Sequence, residues 1–272
     1  MIDLHCHLLP GVDDGAERLD ISLEMARIAC RDGITITACT PHILPTIYDN
    51  SGPAIKAGVA LLQKELTRAG IPLRLVSGAD VHVAADLTEG LKNGRVLSLN
   101  NSRYLLLEPP HYAPLPQIED YVFKLHAAGY IGILTHPERL QWIETHYGLI
   151  QRMIHNGLWV QLTAGSLTGR FGPRPRYWAE RMLDEGLCHI LATDAHNTSS
   201  RAPLLAEARD VAAKRVGEQE AIELVLTRPR GVINDVDPTQ LSVPMKAERK
   251  TSPSSSLWDR ILASVRGGRG AA

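Results

Sequence analysis

Short apolar runs rich in strand-forming residues recur along the chain: Ile2 to His7, Thr35 to Thr40, Leu73 to Val81, Tyr104 to Glu108, Ile131 to Thr135, Trp159 to Thr163 and His189 to Thr193. Each has the length of a strand. Between them the apolar spacing becomes helical and ends on stop signals, as in Leu19, Leu23, Ala26 and Cys30 before Gly33, or Ile118, Val122 and Leu125 before Gly129. About seven βα units in alternation predict an α/β fold with parallel strands, closed as a barrel or left open. No internal sequence repeat accompanies this rhythm.

From Lys246 the pattern changes. A charged, Ser/Pro-rich stretch to Ser256 precedes Leu257 to Leu262 and a Gly/Arg-rich end, so the expected division is a domain over 1–245 and a disordered tail over 246–272. Leu257, Ile261, Leu262 and Val265 could line one face of a short helix for docking to a partner or a membrane, but a tail without a specific role is the favoured expectation. At 272 residues and 44% hydrophobic content the chain suits one sizeable domain and is short for two. Its 29 basic and 30 acidic residues nearly cancel, so no nucleic-acid or anionic-membrane partner is expected and any phosphate binding must be local. No apolar run nears the roughly 20 residues of a membrane span, and the N-terminal segment lacks signal-peptide character, which predicts a cytoplasmic protein without an integral membrane segment. Four cysteines, Cys6, Cys30, Cys39 and Cys188, have no paired spacing and read as mostly buried thiols. No pattern speaks to oligomeric state.

The chemistry collects at strand ends. Side chains two apart on a strand share a face, so His5 and His7 can aim at one point, and the same spacing recurs in Asp194-Ala195-His196 at the end of the last strand. If the strands close, the first and last become neighbours and the pairs face each other across one rim. His42, Asp80, Glu108 and His136 each stand at another strand end, and Asp14 on the first loop could reach the same rim, with Asp13 as the competing candidate. Crowded carboxylates are costly to bury, and cations relieve that cost. His82, two residues past Asp80, is a weaker candidate; His111, His126, His146, His155 and His189 are assigned elsewhere, and Cys6 to the core. Arg139 and Arg201 follow strand-end ligands and offer planar donors to phosphate, the plainer alternatives being an ion pair with Glu138 or a solvated side chain.

Together these residues resemble the PHP (polymerase and histidinol phosphatase) superfamily, and most closely its bacterial tyrosine-phosphatase branch linked to capsule and exopolysaccharide synthesis. The similarity rests on the run from Asp3 to Gly15, Thr40-Pro41-His42, Leu107-Glu108, His136-Pro137-Glu138-Arg139, the run from Gln161 to Gly169, and Thr193-Asp194-Ala195-His196. It implies a distorted (β/α)7 barrel and three divalent ions, usually manganese, with iron, zinc, cobalt or magnesium as substitutes. By resemblance, His5, His7 and Asp194 would hold one ion and share Asp80 with a second, which adds Glu108 and His136; Asp14, His42 and His196 would hold the third. Arg139 and Arg201 match the family's phosphate-binding arginines. Where the family usually has a bridging glutamate this chain has Asp80, one methylene shorter.

Five histidines and four carboxylates would leave three divalent ions a surplus of about two positive charges, which suits a phosphate monoester dianion. The implied reaction is attack by metal-bound hydroxide on a phosphotyrosine protein, the tail of a bacterial tyrosine autokinase being the implied partner. Tyrosine, with an ordinary pKa near 10, leaves with less help from a general acid than an alkyl alcohol does. A cysteine mechanism is disfavoured, because no cysteine has an arginine six positions later. The alternatives are another PHP phosphoesterase, such as a histidinol-phosphate phosphatase, and a non-catalytic regulator of polysaccharide assembly.

Overall fold

The structure, a computed structural model, describes residues 1–247. Its strands are β1 (Ile2–Cys6), β2 (Ile36–Cys39), β3 (His42–Ile43), β4 (Arg74–Ser77), β5 (Asp80–His82), β6 (Tyr104–Glu108), β7 (Ile131–Thr135), β8 (Trp159–Thr163) and β9 (Ile190–Ala192). They pair in parallel as two sheets, ordered β1-β2-β4 and β3-β5-β6-β7-β8-β9. The expected strand Leu73 to Val81 is interrupted at Gly78 and Ala79, and beyond the expected strand Thr35 to Thr40 the short β3 follows Pro41. Proline has no N–H to give to a ladder, yet backbone bonding continues through the break, with Gly78 N donating to Cys39 O at 3.0 Å and Asp80 N to Pro41 O at 3.2 Å.

The first and last strands lie side by side, as the paired motifs anticipated. Asp194 N donates to His5 O at 2.8 Å and His7 N to Ala195 O at 2.9 Å. Buried Asp3 ties the same seam, accepting from Thr193 N at 3.0 Å and Thr193 Oγ1 at 2.6 Å. The strand segments thus follow one another in the order of a distorted (β/α)7 barrel.

The main crossovers are α1 (Leu19–Arg31), α2 (Gly52–Arg68), α3 (Leu87–Lys92), α4 (Ile118–Ala127), α5 (Ile143–His155), α6 (Ala164–Leu167), α7 (Pro173–Asp184) and α8 (Ala206–Val216). Gly33 and Gly129, both at φ +88°, close α1 and α4 in the left-handed conformation that glycine adopts without strain. The expected face of α4 is the buried one, Ile118, Val122 and Leu125. In α1 the buried stripe is instead Ser22, Met25, Ala26 and Ala29, and Leu19 is 40% exposed. Two adjacent stripes of this helix carry apolar residues, and packing against the sheet selects the one with the smaller side chains beside Met25.

The chain keeps contact past the expected boundary at 245: Ala247 N donates to Asp184 O at 3.0 Å, at the end of α7. The rest of the expected tail, with Leu257, Ile261, Leu262 and Val265, lies outside the described residues.

His189 belongs to the packing between β8 and β9. Its ring stacks on Trp159 at 4.9 Å, and its Nδ1 accepts from Val160 N at 3.2 Å, so Nδ1 must stay unprotonated. Burial, with the charge of Arg228, lowers its pKa from 6.5 to about 3. The unfolded chain therefore binds a proton on His189 below pH 6.5, whereas the folded chain does so only near pH 3. This stabilisation is fully present above that window and is lost as pH falls through it, on the order of a few kcal/mol when complete. Replacing His189 by asparagine, whose side-chain oxygen can still accept from Val160 N, should flatten the dependence of urea-unfolding free energy on pH between about 6 and 4.

Candidate metal centre

Each expected ligand stands at an end of a strand segment or in a loop beside one. His5 lies in β1 and His7 just past it; His42 opens β3, Asp80 opens β5 and Glu108 closes β6; His136 follows β7, and Asp194 and His196 follow β9. Parallel strands direct their C-terminal ends to one side, and this gathers the side chains. Seven of the nine residues are buried, His42 is partly so, and Asp14 is exposed. His136 at φ 34° and Asp194 at φ 50° occupy the left-handed region, which costs a non-glycine residue about 1–2 kcal/mol. Backbone bonds hold both in place, His136 N to Gln161 O at 2.9 Å and Asp194 N to His5 O at 2.8 Å.

Hydrogen bonds at the outer ring nitrogens determine what the histidines offer inward. His5 Nδ1 lies 2.9 Å from Gln161 Oε1, His7 Nδ1 2.7 Å from Asp13 Oδ2, and His196 Nδ1 3.0 Å from Asp194 O. An acceptor at Nδ1 puts the ring proton there and leaves Nε2 as a lone pair. His5 Nε2 and His7 Nε2 then face each other at 3.2 Å, with Asp194 Oδ1 at 3.5 and 3.6 Å from them and Asp80 Oδ2 at 3.4 Å from His5. Two converging lone pairs among carboxylate oxygens require a cation. Against the penalty of burial, Asp80 and Asp194 push His5 up to about 10, so a proton can meet that need in the metal-free protein. Burial, with His196 and His42 nearby, brings His7 down to about 3.

Both Asp80 oxygens are buried with no hydrogen-bond partner among the described residues, an arrangement that is expensive unless a cation completes it. Five overlapping groups among the described residues have ligating atoms within 4.8 Å of one another: His7, Asp14, His42 and His196; His5, His7 and Asp80; His5, His136 and Asp194; His42, His82 and Glu108; and Glu108, His111 and His136. Glu108 joins the constellation through Oε1, 3.6 Å from His136 Nε2, and Oε2, 3.4 Å from His42 Nδ1. Imidazole and carboxylate donors at this spacing fit divalent transition ions.

Arg139 and Arg201 converge on the same oxygen, Arg139 by an ion pair to Asp194 Oδ2 and Arg201 with its Nη2 at 2.7 Å from it. Against burial, His5, Arg201, His136 and Arg139 hold Asp194 well below the usual carboxylate range. Arg139 also lies over Phe171, 4.8 Å from the ring centroid. Glu138 turns away from it, accepting from Thr163 N at 2.9 Å, and burial raises its pKa to about 7.

Several participants were not anticipated. Asp13, expected only as a rival to Asp14, instead orients the ligands from behind. Its Oδ2 binds His7 Nδ1 and accepts from His42 N at 3.1 Å, while Oδ1 accepts from Gly15 N at 2.9 Å. Asp14 faces the rim, 3.6 Å from His42 Nε2 and 3.4 Å from His196 Nε2. Gly15 permits this loop to close over β1, because a Cβ there would stand 2.3 Å from His7 O. Asp13→Ala should weaken metal binding about 10- to 100-fold while leaving the stoichiometry at saturation unchanged, as chelator competition can measure. His111, assigned away from the site, stands 3.2 Å from Glu108 Oε1; the Pro109-Pro110 pair that bends the chain back was its only sequence signal. His82 lies 2.6 Å from Glu108 Oε2. His126, His146 and His155 stay on helices, as expected.

A parallel α/β fold with a buried histidine–carboxylate rim at the strand ends defines a protein class whose centre is built to bind metal. Residues 1–234 match the family described as capsular polysaccharide synthesis, CpsB/CapC, and the chain belongs to it. The tyrosine-protein phosphatase YwqE of Bacillus subtilis (strain 168) is 35% identical over 219 residues, covering 80% of this chain and 86% of YwqE. The tyrosine-protein phosphatase CpsB of Streptococcus pneumoniae is 26% identical over 240 residues, covering 86% of this chain and 99% of CpsB. A solved structure from work on YwqE and CpsB as unique metal-dependent tyrosine phosphatases superposes with a TM-score of 0.86 at 32% identity, covering 92% of this chain and 100% of its own.

Proposed function

We propose that this chain is a metal-dependent protein-tyrosine phosphatase. The observation that carries the reading is the set of buried, inward-facing imidazole and carboxylate donors beside two arginines, in a family whose relatives are named as tyrosine phosphatases. The nine ligands are His5, His7, Asp14, His42, Asp80, Glu108, His136, Asp194 and His196, with room for three divalent ions; manganese is the preferred identity. When bound, such ions neutralise phosphate charge and lower the pKa of water toward 7. Arg139 and Arg201 each commit one N–H to Asp194 and keep others for the phosphate oxygens. Asp13 and Gln161 hold the rings of His7 and His5 in the tautomer that faces inward. Burial raises the thiols of Cys6, Cys39 and Cys188, which argues against a cysteine nucleophile.

The substrate is phosphotyrosine in proteins, and the partner that suits the family is the phosphorylated tail of a bacterial tyrosine kinase controlling capsule or exopolysaccharide synthesis, met in the cytoplasm. No helix among the described residues is long and apolar enough to cross a membrane. Initial rates on a phosphotyrosine peptide and on histidinol phosphate, before and after chelation and after manganese return, test the reading. The peptide should be preferred, and its turnover should vanish on chelation and return with metal. A preference for histidinol phosphate would overturn the substrate, and the absence of any chelator-sensitive hydrolysis would overturn the enzyme.

A further inference from the structure

The two oxygens of Glu108 face different neighbours. Oε1 looks toward His136 and His111, and Oε2 toward His42 and His82. On the second side, His42 Nδ1 and Asp80 Oδ2 are buried and have no hydrogen-bond partner among the described residues, while buried Glu108 Oε2 meets His82 Nε2 at 2.6 Å. His42 Nδ1 is 3.4 Å from each of the two oxygens. Nitrogen and oxygen donors bound at about 2.0–2.2 Å to a tetrahedral cation stand roughly 3.3–3.6 Å apart. The observed spacing therefore suits a common cation better than it suits direct hydrogen bonds.

His82 stands at the open corner of this group. It shares a face of β5 with Asp80, two residues on, and its Nε2 forms with His42 and Glu108 a set of ligating atoms within 4.8 Å of one another. We propose that His82 is a metal ligand in this chain, its imidazole joining His42 and Glu108 around a divalent cation beside the Asp80 carboxylate; a neutral imidazole has one lone pair, so His42 serves this cation through Nδ1 in place of the one beside Asp14 and His196. The aspartate at position 80 gives the pocket its reason: it reaches one methylene less far than a glutamate, and an imidazole from the same strand face supplies a donor on the solvent side. His82 is also the most exposed of the four side chains, at 22% against 13% for His42, 6% for Glu108 and 0% for Asp80. It has the room to swing away from its 2.6 Å approach to Glu108 as a cation enters.

The proposal rests on Asp80 and Glu108 being ligands, and the test separates the two claims. The full chain is loaded with cobalt(II), and its visible absorption bands and metal affinity by chelator competition are compared among wild type, His82→Ala, His82→Gln and Glu108→Ala. Loss of the imidazole should change the bands and weaken affinity by at least about tenfold. Added imidazole should restore both in His82→Ala, and His82→Gln, which retains an N–H donor for Glu108, should behave like the alanine variant. Unchanged bands and affinity in His82→Ala, with both altered in Glu108→Ala, would overturn the proposal and leave the other ligands standing. Unchanged bands in both variants would overturn the wider ligand set as well. Restoration by glutamine and not by imidazole would make His82 a hydrogen-bond donor to Glu108 and no ligand.

Discussion

Hydrolysis of a phosphotyrosine peptide by His136→Ala should fall by at least about a thousandfold, a loss of roughly 4 kcal/mol of transition-state stabilisation. The residue is buried, and its Nε2 stands 3.6 Å from Glu108 Oε1. Burial and the nearby charge of Arg139 lower its pKa well below the ordinary imidazole value, so the ring keeps a lone pair to offer at neutral pH. In the proposed centre, alanine would leave Glu108 to hold an ion with one fewer protein donor, and it opens a void beside His5, whose ring centroid is 5.7 Å away. Added manganese should recover at most a small part of the rate, and metal analysis should show reduced occupancy while the far-ultraviolet spectrum stays native. A rate equal to wild type would remove His136 from the ligand set.

Loss of either arginine should cost about a hundred- to a thousandfold in kcat/KM, the range found when a donor to a developing charge is deleted. Both guanidinium groups meet at Asp194 Oδ2 and remain partly exposed, at 22% for Arg139 and 23% for Arg201, so their other N–H groups can face an incoming phosphate. Arg201 Nε is buried without a hydrogen-bond partner among the described residues. Lysine should not rescue Arg139→Ala or Arg201→Ala, because a point charge cannot bind Asp194 and a phosphate oxygen through one planar fork. Because both pairs share one carboxylate oxygen, the double variant should lose less than the product of the single losses. Steady-state kinetics with metal content measured in parallel would separate these effects: unchanged kcat/KM at full metal loading would make the arginines structural partners of Asp194 alone.

The strand and helix rhythm was legible because each element repeats its own apolar period, and strand-end residues stood out because polar groups interrupt otherwise apolar runs. His5 and His7 were visible as a pair for this reason, and so was their counterpart in Asp194-Ala195-His196. The break at Gly78 was not legible, since a two-residue interruption leaves the apolar run intact, and the short β3 after Pro41 has too few residues to show a period. His111 was hidden by its place in a loop, where no periodicity reports the direction of a side chain. The division of labour between Asp13 and Asp14 was beyond a linear reading, because adjacent carboxylates in a loop are chemically alike until one meets His7 and the other meets the rim.

By itself, then, the sequence determined the alternating βα architecture, the residue types at the strand ends and the short aspartate at position 80, all of which depend on local order along the chain. The tertiary structure decided which stripe of α1 is buried, that β1 and β9 adjoin, which nitrogen each histidine turns inward, and that His82 and His111 flank Glu108. Those outcomes depend on distances between residues far apart in the chain, such as His5 and Gln161 or Asp3 and Thr193, and the packing of the whole sheet sets them.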